Sequence, residues 1–242
     1  MAAPDRSGVP AYDDPALDQL KHDLVTGCHV LDREGITDGW GHLSVRVPGA
    51  DAFLTIARVS PRLADLDHLV LLDFDGQYLG GRNTPPFEWP IHARAMKARP
   101  DVQSVCHTHS LWSVLFSVLP IPLRALHNYG AFIPPDGLPV FQTAGLITTP
   151  ELGDALAATI GQGPAALMRS HGDTVVGGSI QETVQRTIRV ARMGQLEHLA
   201  LLHGEPHYLS ADELAAMGPS SLDPMRGWGY YLSRLPGEEA GA

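Results

Sequence analysis

The chain has 242 residues, 44% of them hydrophobic, and a formal net charge of −10. That length supports one sizeable α/β domain with a full core. The acidic balance, with no basic stripe interleaved with aromatics, argues against nucleic-acid binding, and no apolar run approaches the roughly 20 residues that span a membrane.

The segment Met1 to Pro15 is polar and rich in Pro, Asp and Ala. It lacks the basic-then-apolar order of a secretory signal. Residues 1–14 are therefore expected to be a flexible arm ahead of one domain over 15–242. The only cysteines are Cys28 and Cys106. Two make no disulfide framework and fit a reducing cytoplasm. No glycine-rich nucleotide loop follows a strand, so neither a nicotinamide nor an ATP site is expected.

Residues 15–35 predict an amphipathic helix with Leu17, Leu20, Leu24, Val25 and Leu31 near one face. Strands are predicted over 42–47, 52–57, 68–73 and 102–107. Asp75-Gly76 signals a tight turn from the third strand into Gln77-Tyr78-Leu79. Residues 88–98 predict a helix that ends before Arg99-Pro100, and Ser110 to Val118 another that Pro120 and Pro122 stop. The Pro- and Gly-rich stretch 128–140 reads as a loop. Glu151 to Ile160 reads as a helix with Pro150 near its start. Strands at 165–169 and 174–177 bracket a turn containing His171. The longest helix is predicted over 179–203, with Ser179 as N-cap, Glu182 three residues on, and Gly204 as its stop. Arg186, Arg189 and Arg192 recur on it at helical spacing and read as a solvated face. Without strict βα alternation, one mixed or mainly antiparallel sheet covered by helices is expected.

The chemistry concentrates at His107-Thr108-His109. Residues two apart share a face of a strand, so both imidazoles point the same way where the run Val102 to Cys106 ends. Two imidazoles together call for a shared partner, and a divalent metal is the usual one. A second apolar run, Ala165 to Met168, leads into Arg169-Ser170-His171-Gly172. Gly172 permits a sharp turn and close backbone approach. Three His ligands leave positions open for water or substrate, as in catalytic sites. Upstream, Glu88 and His92 lie four apart and share a face if a helix starts there. A lone His-x-His is common in a chain with 12 His; the combination with Glu88 and Ser-His-Gly is far more specific. His22, His29, His68, His127, His198, His203 and His207 read as surface or ordinary hydrogen-bonding residues.

These segments, in this order, resemble the class II aldolase/adducin family along roughly residues 15–232. Gly39-Trp40-Gly41-His42-Leu43-Ser44 is similar to that family's Gly-Asn-Leu-Ser loop, and Asp73-Phe74-Asp75-Gly76 to its Asp-x-Asp-Gly segment. Glu88 with His92, Arg99-Pro100-Asp101-Val102, His107-Thr108-His109-Ser110 and His171-Gly172 follow in order. The resemblance implies an α/β fold, a single three-layer domain with a central, mainly antiparallel sheet flanked by helices. It implies one divalent metal ion per subunit on His107, His109 and His171, with Mn, Zn, Fe and Co all open. Glu88 becomes the acid/base residue or a fourth ligand, and His92 the other candidate acid.

The departures point to the substrate. Sugar-phosphate aldolases of the family carry Asn where this chain has His42, and two hydroxyl residues where it has Pro86 and Phe87. Those positions hold the phosphate in the aldolases. Pro86 lacks an N–H, and Phe87 offers an aromatic face instead. Gly-His-Leu-Ser, Ile56-Ala57-Arg58, Pro-Phe-Glu and Arg226 to Tyr231 look more like a decarboxylase branch acting on hydroxyaryl acids. The expected function is a metal-dependent carbon–carbon lyase that decarboxylates an ortho-hydroxyaryl (di)carboxylate, such as a dihydroxyphthalate or a hydroxypyridine dicarboxylate. Phe87 and His42 would flank its ring, with Ser44 beside them; Arg58 and Arg82 would hold a second carboxylate. Tyr230, in a C-terminal tail that in this family can approach a neighbouring subunit's site, is a further substrate-binding candidate. A homotetramer is expected, with no nucleic-acid or membrane partner. The alternatives are an aldolase for a non-phosphorylated hydroxy-ketone or sugar, an iron-dependent oxygenase, and an adducin-like interaction module. The three histidines argue against the last.

Overall fold

The computed structural model describes residues 8–217 and 224–237. Eight strands form one sheet: β1 (His42–Arg46), β2 (Ala52–Ile56), β3 (Leu69–Asp73), β4 (Tyr78–Gly81), β5 (Ser104–Thr108), β6 (Val140–Phe141), β7 (Ala165–Met168) and β8 (Gly172–Gly177). Their spatial order is β4-β3-β2-β1-β5-β8-β7-β6. Every neighbouring pair is antiparallel except β6–β7. The helices are α1 (Asp18–Arg33), α2 (Trp89–Ala98), α3 (Leu111–Val118), α4 (Pro150–Ile160), α5 (Ile180–Leu201), α6 (Ala211–Met217) and α7 (Pro224–Leu232).

Strand alternation divides the core into layers. Leu43, Val45, Leu54, Leu71 and Cys106 face Leu24, Ile180, Ile188 and Trp228 of α1, α5 and α7. Phe53, Leu72, Val105 and Val176 face Ile91, Met96 and Leu156 of α2 and α4. A third cluster packs Phe116 of α3 and Met193 of α5 against Leu167 and Val175. The result is the three-layer domain expected from the sequence. Both cysteines are buried and unpaired.

Local chemistry sets the boundaries. The Ser179 hydroxyl accepts from the Glu182 N–H at 3.1 Å, and the Glu182 carboxylate accepts from the Gly178 N–H at 2.7 Å, which caps α5. Asp73 Oδ1 accepts from the N–H groups of Asp75 and Gln77, closing the β3–β4 turn. Helix α2 stops at Arg99, before Pro100.

Two expectations need correction. Residues 8–14 are not a loose arm: the Tyr12 hydroxyl bonds the carbonyls of Leu66 and Leu69, each at 3.1 Å, and Val9 and Tyr12 pack on the core. Residues 1–7 of the expected arm lie outside the described residues. The loop predicted over 128–140 runs into the two-residue edge strand β6, too short for any periodicity. The C-terminal tail is helical, with Trp228 and Tyr231 of α7 buried against α5. Glu34 anchors this end through Arg192 and Arg234 at 2.5 and 2.7 Å.

Gly172 begins β8 against β5. A Cβ there would stand 1.9 Å from the Thr108 carbonyl oxygen, a backbone atom that cannot rotate away. Gly172→Ala should lower stability by on the order of 1–3 kcal/mol. Thermal unfolding checks this; an unchanged melting temperature would contradict it.

Candidate metal centre

Four side chains, from β5 and its end, the start of α2 and the β7–β8 turn, converge where β5 ends. His107 is the fourth residue of β5, pairs with His42 of β1 and Thr174 of β8, and is fully buried. Its Nδ1–H donates to the Asp173 carbonyl at 2.7 Å. That bond fixes the tautomer, so Nε2 carries the lone pair. His109 follows just beyond the strand, its Nε2 3.0 Å from His107 Nε2. His171 sits in the β7–β8 turn, behind Ser170, which adopts φ 57°. That left-handed geometry is costly for a residue with a Cβ, and the Ser170 N–H is held by Ser117 Oγ at 3.0 Å.

Glu88 stands at the N-cap position of α2 but does not cap it. Its Oε1 accepts from the Ile147 N–H at 2.8 Å. Its Oε2 lies 3.7 Å from His107 Nε2 and 3.6 Å from His171 Nε2. One ligand atom from each of Glu88, His107, His109 and His171 lies within 4.8 Å of all the others. Both His171 ring nitrogens are buried without a hydrogen-bond partner. Buried polar atoms seldom stay unpaired, and three imidazoles with a carboxylate form a common donor set for a divalent ion. The residues present fit such an ion.

The electrostatics agree. Burial would raise the Glu88 carboxyl, but the His171 and His107 rings and the Ile147 N–H outweigh it and hold it at about 2. Burial pushes His107 down to about 3 despite the Glu88 charge, and burial with the neighbouring His171 lowers His109. A carboxylate beside neutral imidazoles is the protonation state that coordinates metal.

A cavity of about 390 Å³ opens beside this cluster, lined by Trp40, His42, Arg58, Phe87, Glu88, His109 and Leu146 among others. That is within the range of about 300–1,000 Å³ for small-molecule sites. The Arg58 guanidinium lies 3.4 Å over the Phe87 ring, and its Nε donates to the Pro85 carbonyl at 2.8 Å. A slightly larger cleft of about 400 Å³, at Arg99, Arg186 and Arg189, holds none of the four converging groups.

Of the sequence-predicted residues, His107, His109, His171 and Glu88 come together, and His42, Arg58 and Phe87 line the cavity beside them. Four others do not reach it. Ser44 and His92 are fully buried behind His42. Ser44 Oγ meets the Val105 carbonyl and His92 Nδ1; His92 Nε2 meets His42. Neither lines the cavity, so the structure does not bring Ser44, expected as a substrate contact, or His92, expected as an acid, to it. Arg82 is solvent-exposed and pairs with Asp67 at 3.2 Å. Tyr230 is an exposed residue of α7, beside Tyr231 and Arg234, and does not line the cavity. Trp40, Leu146 and the Ile147 N–H were not foreseen. Trp40 lay in a quoted motif; a backbone N–H leaves no sequence signal. Asp173 was also missed. It accepts from Thr108 and Ser113, and burial lifts its carboxyl to about 6 against those bonds.

Residues 22–198 match the profile of the family described as Class II Aldolase and Adducin N-terminal domain. The chain belongs to that family. It is 29% identical to a 3,4-dihydroxyphthalate decarboxylase of Terrabacter sp., across 88% of this chain and 95% of the relative. It is 30% identical to a 5-methylthioribulose-1-phosphate/5-deoxyribulose-1-phosphate aldolase of Rhodospirillum rubrum, across 81% and 87%. Among solved structures, L-fuculose 1-phosphate aldolase from Glaciozyma antarctica superposes with a TM-score of 0.78 at 25% identity, covering 92% of this chain and 91% of that one. The family thus includes both aldolases and decarboxylases. Among the described residues, no helix is long and apolar enough to cross a membrane.

Proposed function

We propose that this chain is a metal-dependent carbon–carbon lyase that removes carbon dioxide from an ortho-hydroxyaryl (di)carboxylate. The observation that carries this reading is the stack of Arg58 on Phe87 beside Glu88. A flat aromatic wall with a guanidinium on it suits a planar acid anion: the ring lies on apolar surface and Arg58 pairs with a carboxylate. The same wall suits a phosphate poorly. Pro86 offers no N–H and Phe87 no hydroxyl, and a dianion buried without donors carries a heavy desolvation cost. The similarity to a dihydroxyphthalate decarboxylase supports the same choice.

His107, His109 and His171, with Glu88 as base or fourth ligand, would hold the ion. When bound, a divalent ion supplies Lewis-acid stabilisation of negative charge developing on a substrate oxygen. Mn, Zn, Fe and Co all accept this donor set. Glu88 then acts as a base before it acts as an acid. Its carboxyl, held at about 2, is ionised when substrate arrives. It takes the proton of the substrate hydroxyl and returns it to the ring carbon that carbon dioxide leaves.

The 30% identity to a methylthioribulose-phosphate aldolase favours a second reading, an aldolase acting on a non-phosphorylated hydroxy-ketone. A panel of hydroxyaryl dicarboxylates and hydroxy-ketones, incubated with metal-loaded protein, separates the two. Carbon dioxide from the aryl acids is the expected outcome. Carbonyl products from the ketones, with every aryl acid inert, would overturn the decarboxylase. Strict dependence on oxygen would indicate the oxygenase alternative.

The working form is a homotetramer in this proposal. Light scattering should give about four times the chain mass of 26.0 kDa. A mass near 26 kDa at working concentration would contradict it.

A further inference from the structure

We propose that His42 is a hydrogen-bond acceptor of fixed tautomer, set from behind by His92 and Ser44, that selects substrates presenting a hydroxyl to the cavity beside the metal cluster. The inference rests on the hydroxyaryl-acid reading of that cavity.

His42 and Ser44 are two apart on β1 and share the face that packs on α2. His92 of α2 stands between them. Its Nδ1 lies 2.7 Å from Ser44 Oγ and its Nε2 lies 3.0 Å from His42 Nδ1. Ser44 and His92 are both fully buried, so the protein alone decides where each proton sits.

The order of donors follows from one group that can only accept. The Val105 carbonyl lies 3.3 Å from Ser44 Oγ and takes the single hydroxyl proton. The Ser44 oxygen is left to accept, so His92 Nδ1 carries the hydrogen between them. A neutral imidazole protonated at Nδ1 is bare at Nε2. The proton in the 3.0 Å contact must then come from His42 Nδ1, and His42 Nε2 is bare in turn. The reverse order would send the hydroxyl proton to His92 and give up the bond from Ser44 to the Val105 carbonyl.

His42 lines the cavity, and its ring centroid lies 5.2 Å from that of His107. It is not one of the four converging groups. Its Nε2 has no hydrogen-bond partner among the described residues. A bare imidazole nitrogen accepts and cannot donate. It pairs with a hydroxyl and leaves an ether, carbonyl or carboxylate oxygen unmatched. An asparagine, as in the family's loop, offers both a donor and an acceptor. His42 in its place narrows the choice to a donor. A ring with a second hydroxyl beside the first satisfies it.

Two measurements on metal-loaded protein test this, and neither depends on turnover. The first is solid-state nitrogen NMR of histidine-labelled protein, with His42→Phe and His92→Phe used for assignment. Both rings should be protonated at Nδ1 and bare at Nε2; a proton on His42 Nε2 overturns the proposal. The second compares, by calorimetry, an ortho-hydroxybenzoate bearing an adjacent second hydroxyl with its methyl ether at that hydroxyl. The wild-type protein should prefer the diol by about tenfold or more, and His42→Phe should lose most of that preference. In His92→Phe the preference should also fall, because His42 can then take either tautomer. An equal preference in wild type and His42→Phe overturns the proposal. A protein that shows the tautomer and the preference but releases no carbon dioxide would remove the decarboxylase reading and leave this one standing.

Discussion

Replacement of His107, His109 or His171 by Ala, one at a time, should strip the metal and abolish turnover. Each ring supplies one nitrogen to a group whose ligand atoms lie within 4.8 Å of one another. Loss of an outer-shell partner alone costs about 10–100-fold in metal affinity, and loss of a ligand should exceed that. His171 gives the clearest case. Both its nitrogens are buried without a hydrogen bond, and its Nε2 faces Glu88 Oε2 at 3.6 Å. His107 is more entangled, because its Nδ1–H also ties β5 to the Asp173 carbonyl; some of its effect will appear as lost stability. Metal analysis after desalting, read alongside thermal unfolding, distinguishes the two contributions. Full metal occupancy in His109→Ala would remove that residue from the ligand set.

Glu88→Gln should keep the fold and much of the metal while lowering kcat by about 10²–10⁴-fold, the range for loss of a positioned acid–base group. The amide oxygen still accepts from the Ile147 N–H, which fixes the side chain at 2.8 Å. What is lost is the ability to carry a proton. Near-normal turnover would move proton transfer elsewhere. His92 is not available for direct transfer, since burial lowers it to about 4 and both its ring nitrogens are engaged. His42, at the cavity, would then be the next group to test.

Much of the metal cluster was legible because it follows periodicity. A strand that alternates and ends at His107 forces two histidines to one place. A second strand ending near His171 supplies the third. Glu88 lies just ahead of a helix that Pro100 terminates, and that boundary was readable too. The depth of each residue was not. Ser44 shares a strand face with His42, yet α2 covers Ser44 and leaves His42 at the cavity, and only packing decides that. Arg82 follows β4 on an outer edge of the sheet, where Asp67 meets it; strand order is not written in spacing. The close approach at Gly172 was expected, but the strained position is Ser170, two residues earlier. The docking of residues 8–14 rests on one tyrosine reaching two carbonyls, a contact between distant segments that no local pattern encodes.

The central claim is loss of carbon dioxide followed by protonation of the same ring carbon. The most direct measurement uses an ortho-hydroxyaryl dicarboxylate labelled with carbon-13 in its carboxyl groups, incubated in deuterated water without oxygen. Metal-loaded protein should release labelled carbon dioxide and leave one deuterium on the vacated ring carbon, and a chelator should stop both. Intact substrate under these conditions, together with cleavage of a hydroxy-ketone to two carbonyl fragments by the same preparation, would contradict the account.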